Sequence, residues 1–328
     1  MKNGILIILL VLYCTFILFN IPLHKDLYFV LCCIVLAGLI FLWRNVFLEK
    51  KTDIIFYALC LLGFNSAIYL NIRSANTCIF EQFLLWLALY YYLKDKLLIF
   101  CALVVIAATL KIDYIFFLLL LFFAQEQKRK KYFVGSLGAL VLLSGVIFVL
   151  NPHIFLRFFA AARSDLISGG GVGNFSTFSF VSQVWQIVRV FGLTALGEYY
   201  GVVYFLIVLI LFIISFRAVR VIKGLRLQDE KKWLIFFACA LYAIINPRFR
   251  DYNYIILILP TYFLIKKLSC IKAENFFLTL IILSAIYITF PGLNIAMYFL
   301  WTFYPLLLAY AVWVLYLCEM NRLSKAPN

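Results

Sequence analysis

Two short motifs set opposite charges side by side within otherwise apolar sequence: Lys111-Ile112-Asp113 and Arg248-Phe249-Arg250-Asp251. Ionisable residues at membrane depth are expensive and are functional candidates by default. An ammonium or guanidinium held there suits phosphate oxygens, because planar forks match them and apolar walls strengthen the pairing. A carboxylate beside such cations suits general-base work on a hydroxyl. A purely structural reading stays open for both motifs: Lys111 and Asp113 could form an internal ion pair that pins a turn, and Asp251 could be only a counter-ion to its arginines.

Other candidates are less pointed. Arg73-Ser74-Ala75-Asn76 could present a guanidinium and an amide, or could be an ordinary interfacial turn, with Glu81 neutralising Arg73. Asn174-Phe175-Ser176 follows Gly169-Gly170-Gly171 and could hydrogen-bond a sugar, although glycine-rich outer loops are usually just flexible. Lys25, Arg157 and Arg189 sit where snorkelling to headgroups explains them.

These residues are embedded in a chain of 328 residues, 66% hydrophobic, 19% aromatic and only 13% charged. Its mean hydropathy is +1.06. Globular domains carry roughly 25% charged residues, so the apolar excess must face lipid. This excludes a soluble enzyme with one anchor, a secreted disulfide scaffold, a disordered tail and a nucleic-acid-binding domain. Most of the nine cysteines lie in apolar runs, where Cys acts as a small hydrophobe. Two histidines are too few for a His-based metal centre, so neither metal nor cofactor is expected.

Apolar runs able to cross about 30 Å of hydrocarbon fall at 4–20, 27–43, 54–72, 76–93, 133–150, 199–216, 275–290 and 295–318. The first lacks a small-residue cleavage site after it and reads as a retained span. Two further stretches break the pattern. Leu97 to Phe123 is apolar apart from Lys111 and Asp113, yet both flanks are basic, so the chain must return to the side it left. Trp233 to Ile265 repeats the arrangement around Asn246 to Tyr252. Two full crossings need about 40 residues, so each stretch is predicted to be a short helical hairpin with a charged tip. Charge at membrane depth is tolerated where it is buried in protein or lines a watery cavity, which puts both tips in a shared outer cavity.

The positive-inside bias assigns 21 of the 29 basic residues to the cytoplasm and leaves Lys25, Arg73, Lys111, Arg157, Arg163, Arg189, Arg248 and Arg250 outside. The net charge of +15 is therefore chiefly a record of topology. The expected fold is all-α and polytopic: one transmembrane domain over 1–328, about eight full spans, two short outward-pointing hairpins, and both termini cytoplasmic. The long polar segment 151–198 is its extracytoplasmic loop.

The motifs, in this order, resemble glycosyltransferase family 87, polyprenyl-phosphate-mannose-dependent enzymes of the C-type glycosyltransferase fold. The resemblance covers roughly residues 20 to 265. It is carried by Arg73-Ser74-Ala75-Asn76 opening a span, Ala107-Ala108-Thr109-Leu110-Lys111-Ile112-Asp113 in a broken helix, the glycine-rich outer loop running into Asn174-Phe175-Ser176, and Asn246-Pro247-Arg248 with Asp251-Tyr252 ahead of an Ile-Leu-Pro run. The family shows Arg-Gly-Gln-x-Asn and Leu-Lys-x-x-Pro at the first two places. It also carries a catalytic Asp in a long first outer loop; here Asp26 is the only acid in a short one. Either the reading frame extends upstream, or that part is lost, or another acid serves.

The resemblance implies a bacterial plasma-membrane enzyme that moves a hexose, mannose first among them, from a polyprenyl-phosphate carrier to a lipid-linked or cell-envelope glycan at the outer face. Lys111, Arg248 and Arg250 would bind the phosphate; Arg73, Asn76, Asp113 and Asn174 would complete substrate binding. Asp251 and Asp165 are the first candidates for the base. The expected partners are the donor, the acceptor and membrane lipids, without nucleic acid. A glycan polymerase, a lipid-linked oligosaccharide transporter and a truncated inactive relative remain as alternatives.

Overall fold

The computed structural model describes residues 25–48, 53–74, 76–124, 129–153, 156–157, 160, 174–190, 199–224, 229–267 and 302–325. Asp165, most of 151–198 and the apolar runs at 4–20 and 275–290 lie outside these residues. The chain is an all-α membrane protein. Its helices are α1 (Lys25–Val46), α2 (Ile54–Arg73), α3 (Cys78–Leu93), α4 (Leu97–Leu110), α5 (Arg129–Leu150), α6 (Thr177–Val190), α7 (Tyr200–Gly224), α8 (Glu230–Ile245), α9 (Ile258–Lys267) and α10 (Tyr304–Lys325), with 3-10 segments at Ile112–Phe123 and Asp251–Leu257. Five of them, α1, α2, α5, α7 and α10, are long and apolar enough to cross a bilayer. Among the described residues the only β-type pairing is an isolated bridge between Asn174 and Arg250.

Both short stretches fold back on themselves. In the first, Lys111 ends α4 by donating its N–H to the Ala107 carbonyl (3.0 Å) and then swings to φ −146°, ψ 102°. The Tyr114 N–H bonds the Lys111 carbonyl (3.1 Å), which opens the 3-10 limb. Twelve residues of 3-10 helix are far more than the usual three or four, but at about 2.0 Å rise they cover about 24 Å. The fourteen α residues of α4 cover about 21 Å at 1.5 Å each. Tighter winding thus lets the shorter limb return to the depth from which α4 started. The return is fixed by Tyr92, at the end of α3, which donates to the Leu120 carbonyl (3.1 Å), and by Lys223, at the end of α7, which donates to that of Phe123.

The second hairpin climbs through α8, turns at Asn246 to Arg250 and descends through Asp251–Leu257 and α9. The switch from 3-10 to α comes at Ile258, and Pro260 falls in the first turn of α9, where a missing N–H costs nothing. Its feet are joined by the ion pair of Asp229 with Lys267 (3.3 Å).

The feet of both hairpins meet the ends of their neighbours in a belt of ion pairs. Lys266 pairs with Asp53 (2.9 Å), Lys232 with Asp229 (3.4 Å), Lys223 with Glu230 (2.9 Å) and Lys231 with Asp95. Asp53 also caps α2, accepting from the Ile55 N–H (3.0 Å) and the Tyr262 hydroxyl (2.9 Å). Burial pushes its carboxyl up, but Lys266, Tyr262 and the Ile55 N–H outweigh that and hold it below the ordinary carboxylate range. Above the belt the core is aromatic: Trp86 of α3 meets Trp43 of α1 and Phe47 just beyond it edge-on, at 5.7 and 5.3 Å between centroids, and Phe236 of α8 at 6.2 Å.

Helix α2 is broken in mid-course, where Phe64, Asn65 and Ser66 take left-handed backbone angles (φ 52°, 60° and 55°). Each such residue costs roughly 1–2 kcal/mol. The break faces the second hairpin: Phe64 is fully buried and stacks on Tyr254 (6.2 Å, 6° between planes), and beyond it Asn71 donates to the Tyr252 carbonyl (2.8 Å). Packing against the 3-10 limb thus offsets the strain and bends α2 around the tip.

Candidate functional site

The two tips do meet, and they meet through amides. The Lys111 ammonium donates to Asn253 Oδ1 (3.2 Å), and Asp113 Oδ2 accepts from Asn246 Nδ2 (2.8 Å). Each charge of the first hairpin is therefore held by a neutral group of the second. Among the described residues no ion pair joins Lys111 to Asp113, so the internal pair entertained from sequence does not form. Lys111 also lies against three ring faces, 5.5 Å from the centroid of Phe249, 5.6 Å from Tyr114 and 6.0 Å from Tyr242. Such contacts stabilise a cation without neutralising it.

Beneath Lys111, Glu81 lies one turn into α3 and is only 8% exposed. Its carboxylate accepts from the Thr77 hydroxyl (3.0 Å) and from the Tyr114 hydroxyl (3.4 Å), which in turn accepts from Gln82 Nε2 (3.0 Å). Among the described residues it makes no ion pair with Arg73, so the neutralising role entertained for it is not the one observed. Gln82 Oε1, the Tyr242 hydroxyl and Arg250 Nε are buried without a hydrogen-bond partner. Buried polar atoms are nearly always satisfied, so unused polar capacity remains both at the second tip and in the layer beneath it.

The segment Asn174 to Thr177 straps the second tip from outside. Asn174 donates to the Pro247 carbonyl (3.0 Å) and accepts from the Phe249 N–H (2.8 Å), while the Phe175 N–H bonds the Phe249 carbonyl (3.0 Å). Ser176 adds a second donor to Pro247 (2.7 Å), Thr177 bonds the Ile244 carbonyl (2.5 Å), and Tyr254 donates to the Phe175 carbonyl (2.7 Å). Within the turn the Arg248 N–H bonds Asn246 Oδ1 (2.9 Å). Asn174 is 2% exposed, and its amide oxygen and one amide hydrogen are occupied by this strap.

The remaining expected residues surround the turn. Arg248 is exposed, whereas Arg250 and Asp251 are half-buried; Asp251 Oδ1 accepts from the Tyr252 N–H (2.8 Å). Asn76 Oδ1 accepts from the Cys78 N–H (2.9 Å) and so starts α3, and Arg73 is exposed at the end of α2. Lys111, Asp113, Arg250 and Asp251 are thus gathered on two linked tips, with Arg248 on the same turn.

Sequence reasoning missed Asn246 and Asn253 as the groups that join the tips, and Gln82 and Tyr114 as the layer below. Three of them were detectable in principle, since an amide inside an apolar run needs a buried partner. Tyr114 and Tyr242 carry no such signal among 21 tyrosines. No protein-family model, curated protein or solved structure matches this chain.

Proposed function

We propose that the chain is a membrane glycosyltransferase that moves a hexose from a polyprenyl-phosphate carrier to a lipid-linked or cell-envelope glycan. The reading rests on one observation above others: Lys111 and Arg250 are brought to adjoining hairpin tips, where among the described residues an amide and ring faces rather than an ion pair hold Lys111, and the adjacent Asp251 acts on Arg250. Two cations at membrane depth are costly, and an anionic phosphate is a ligand that would repay that cost.

The positive-inside rule turns the ion-paired feet to the cytoplasm and the tips outward, as expected for a bacterial plasma-membrane enzyme with both termini inside. In that orientation the donor phosphate sits at Lys111, Arg250 and Arg248, with its isoprenoid tail between the spans. The acceptor hydroxyl loses its proton to a carboxylate, its oxygen attacks the anomeric carbon, and the bond from that carbon to the phosphate oxygen breaks with inversion. The leaving phosphate then rests on the same cations, which stabilise developing charge without reorganising. Asp251 is the base within reach of the cations; Asp165 remains its rival. Asn174 serves by holding the Arg248 to Arg250 turn. Eight spans in a C-type glycosyltransferase arrangement complete this reading.

The test is transfer of radiolabelled hexose from a polyprenyl-phosphate donor in membranes that contain the intact chain or Asp251→Ala in equal amounts. Transfer by the intact chain and its loss in the variant are the expected results. No transfer by the intact chain with either mannose or glucose on the carrier would overturn the reading.

A further inference from the structure

Below the tips an apolar groove of about 260 Å³ runs down toward the feet between the 3-10 limb of the first hairpin, α7 and α8. It passes Phe116 and Leu120 on the limb, Phe212 and Val219 on α7, and Ala238 and Leu234 on α8. Its lower end adjoins a wider polar bowl of about 790 Å³, and Phe123 lines both. The bowl is lined by Lys94, Lys223, Lys231 and Lys232 against Asp95, Asp229 and Glu230, one positive charge in excess.

Arg129 adds to that count. Asp229 pairs with Lys232 (3.4 Å) and with Lys267 (3.3 Å). Lys94 lies over the Tyr90 ring at 5.9 Å. Arg129 donates to the carbonyls of Phe122 (3.1 Å) and Ala124 (3.2 Å), which places another cation at the seam where groove meets bowl. Neither of these two cations pairs with a carboxylate among the described residues. An apolar channel that ends in surplus positive charge matches an amphiphile with one anionic head.

We infer that the groove and bowl together bind an anionic phospholipid, one acyl chain along the groove and the phosphate among Lys94, Lys223 and Arg129. Its charged end lies at the feet, away from the tips, and the inference does not rest on the proposed enzymatic activity. Basic pockets between helices on the cytoplasmic side are where anionic headgroups bind, because that leaflet concentrates them. The lipid would touch one limb of each hairpin and so bear on how their feet are joined.

The experiment is native mass spectrometry of the full chain in detergent with phosphatidylglycerol, phosphatidylcholine and an undecaprenyl phosphate offered at equal concentration, paired with thermal unfolding in each. Preferential retention of phosphatidylglycerol is expected, with a higher melting temperature than in phosphatidylcholine. Arg129→Glu and Lys94→Glu should lose that preference at least fivefold while melting as the parent does in phosphatidylcholine, and Ala238→Trp should lose it by filling the groove. Equal retention of both phospholipids would make this an ordinary lipid-facing surface. Retention of undecaprenyl phosphate that Ala238→Trp abolishes would give the groove to an isoprenoid tail, whereas retention that survives Ala238→Trp belongs to the tips and leaves phosphatidylglycerol against phosphatidylcholine to decide. A groove taken by the isoprenoid tail, or a phosphatidylglycerol preference indifferent to the two surface charge reversals, overturns the inference.

Discussion

The two ends of the hairpins handle charge in opposite ways. At the feet each described carboxylate, Asp53, Asp95, Asp229 and Glu230, has an ammonium within ion-pair distance. At the tips Glu81 and Asp113 are held by hydroxyls and an amide, and Lys111 by an amide and aromatic faces. A fold that needed its tip charges only for stability would pair them as it pairs the feet. Neutral partners instead fix the positions of Lys111 and Asp113, and the tip carboxylates Glu81 and Asp251 feel Lys111 and Arg250 without closing on them as the feet do, which leaves the cations able to bind an external ion.

The largest expected effect comes from removing the charge and keeping the shape. Lys111→Met should lower hexose transfer by about 10² to 10³, the usual loss when one donor to a developing anion is removed, with the chain still inserted in the membrane. A loss below tenfold, measured at matched protein levels, would make the tip cation structural like those at the feet.

Next comes the strap. Asn174→Ala deletes one hydrogen bond donated to the Pro247 carbonyl, which keeps its bond from Ser176, and leaves the buried Phe249 N–H without a partner. A loss of about 1–2 kcal/mol in unfolding free energy follows from one abandoned buried group. Denaturant unfolding in detergent measures it, and an unchanged midpoint would show that the strap does not hold the turn.

The feet should respond less, and in a pH-dependent way. The Asp53 carboxyl is depressed in the folded state, so its contribution is present above the unfolded value near 3.9 and is lost as pH falls through the folded value. Asp53→Asn should therefore cost about 1 kcal/mol or less at pH 7, in line with partly exposed pairs. The difference from the parent should vanish in strong acid, as melting curves at pH 7 and pH 3 would reveal; a penalty that grows on acidification would contradict the pairing.

The smallest effect lies at the bend in α2. Ser66→Gly should raise stability by a few tenths to 1 kcal/mol, since glycine accepts φ 55° without a Cβ clash. Ser66→Val should lower it, and a reversed order would mean that the bend is not left-handed in the membrane.

How much of this was legible in the chain follows the same division. The hairpins were readable because basic flanks at Lys94 and Lys96 and again after Phe123 forbid an odd number of crossings, a constraint that acts on sequence alone. That Lys111 and the Arg248 to Asp251 turn share one end was readable for the same reason. The 3-10 winding of Ile112–Phe123 was not, because its apolar run has no period that separates it from an α-helix, and only matching the depth of α4 demands it. Nor was the break at Phe64 to Ser66, where a long-range stack on Tyr254 overrides local preference. The strapping role of Asn174 and Ser176 was not legible either, because Asn and Ser serve sugars and backbone carbonyls alike, and only the fold shows that the carbonyl of Pro247 lies beside them.

The contrast between the ends can be tested directly by measuring the KM for the polyprenyl-phosphate hexose donor in membranes containing Arg250→Glu at the tip or Lys231→Glu at the foot, at equal abundance. A rise of tenfold or more for the tip reversal, with the foot reversal within twofold of the parent, is the predicted result. A rise for the foot reversal alone, or equal changes in both, would contradict the assignment of the phosphate to the hairpin tips.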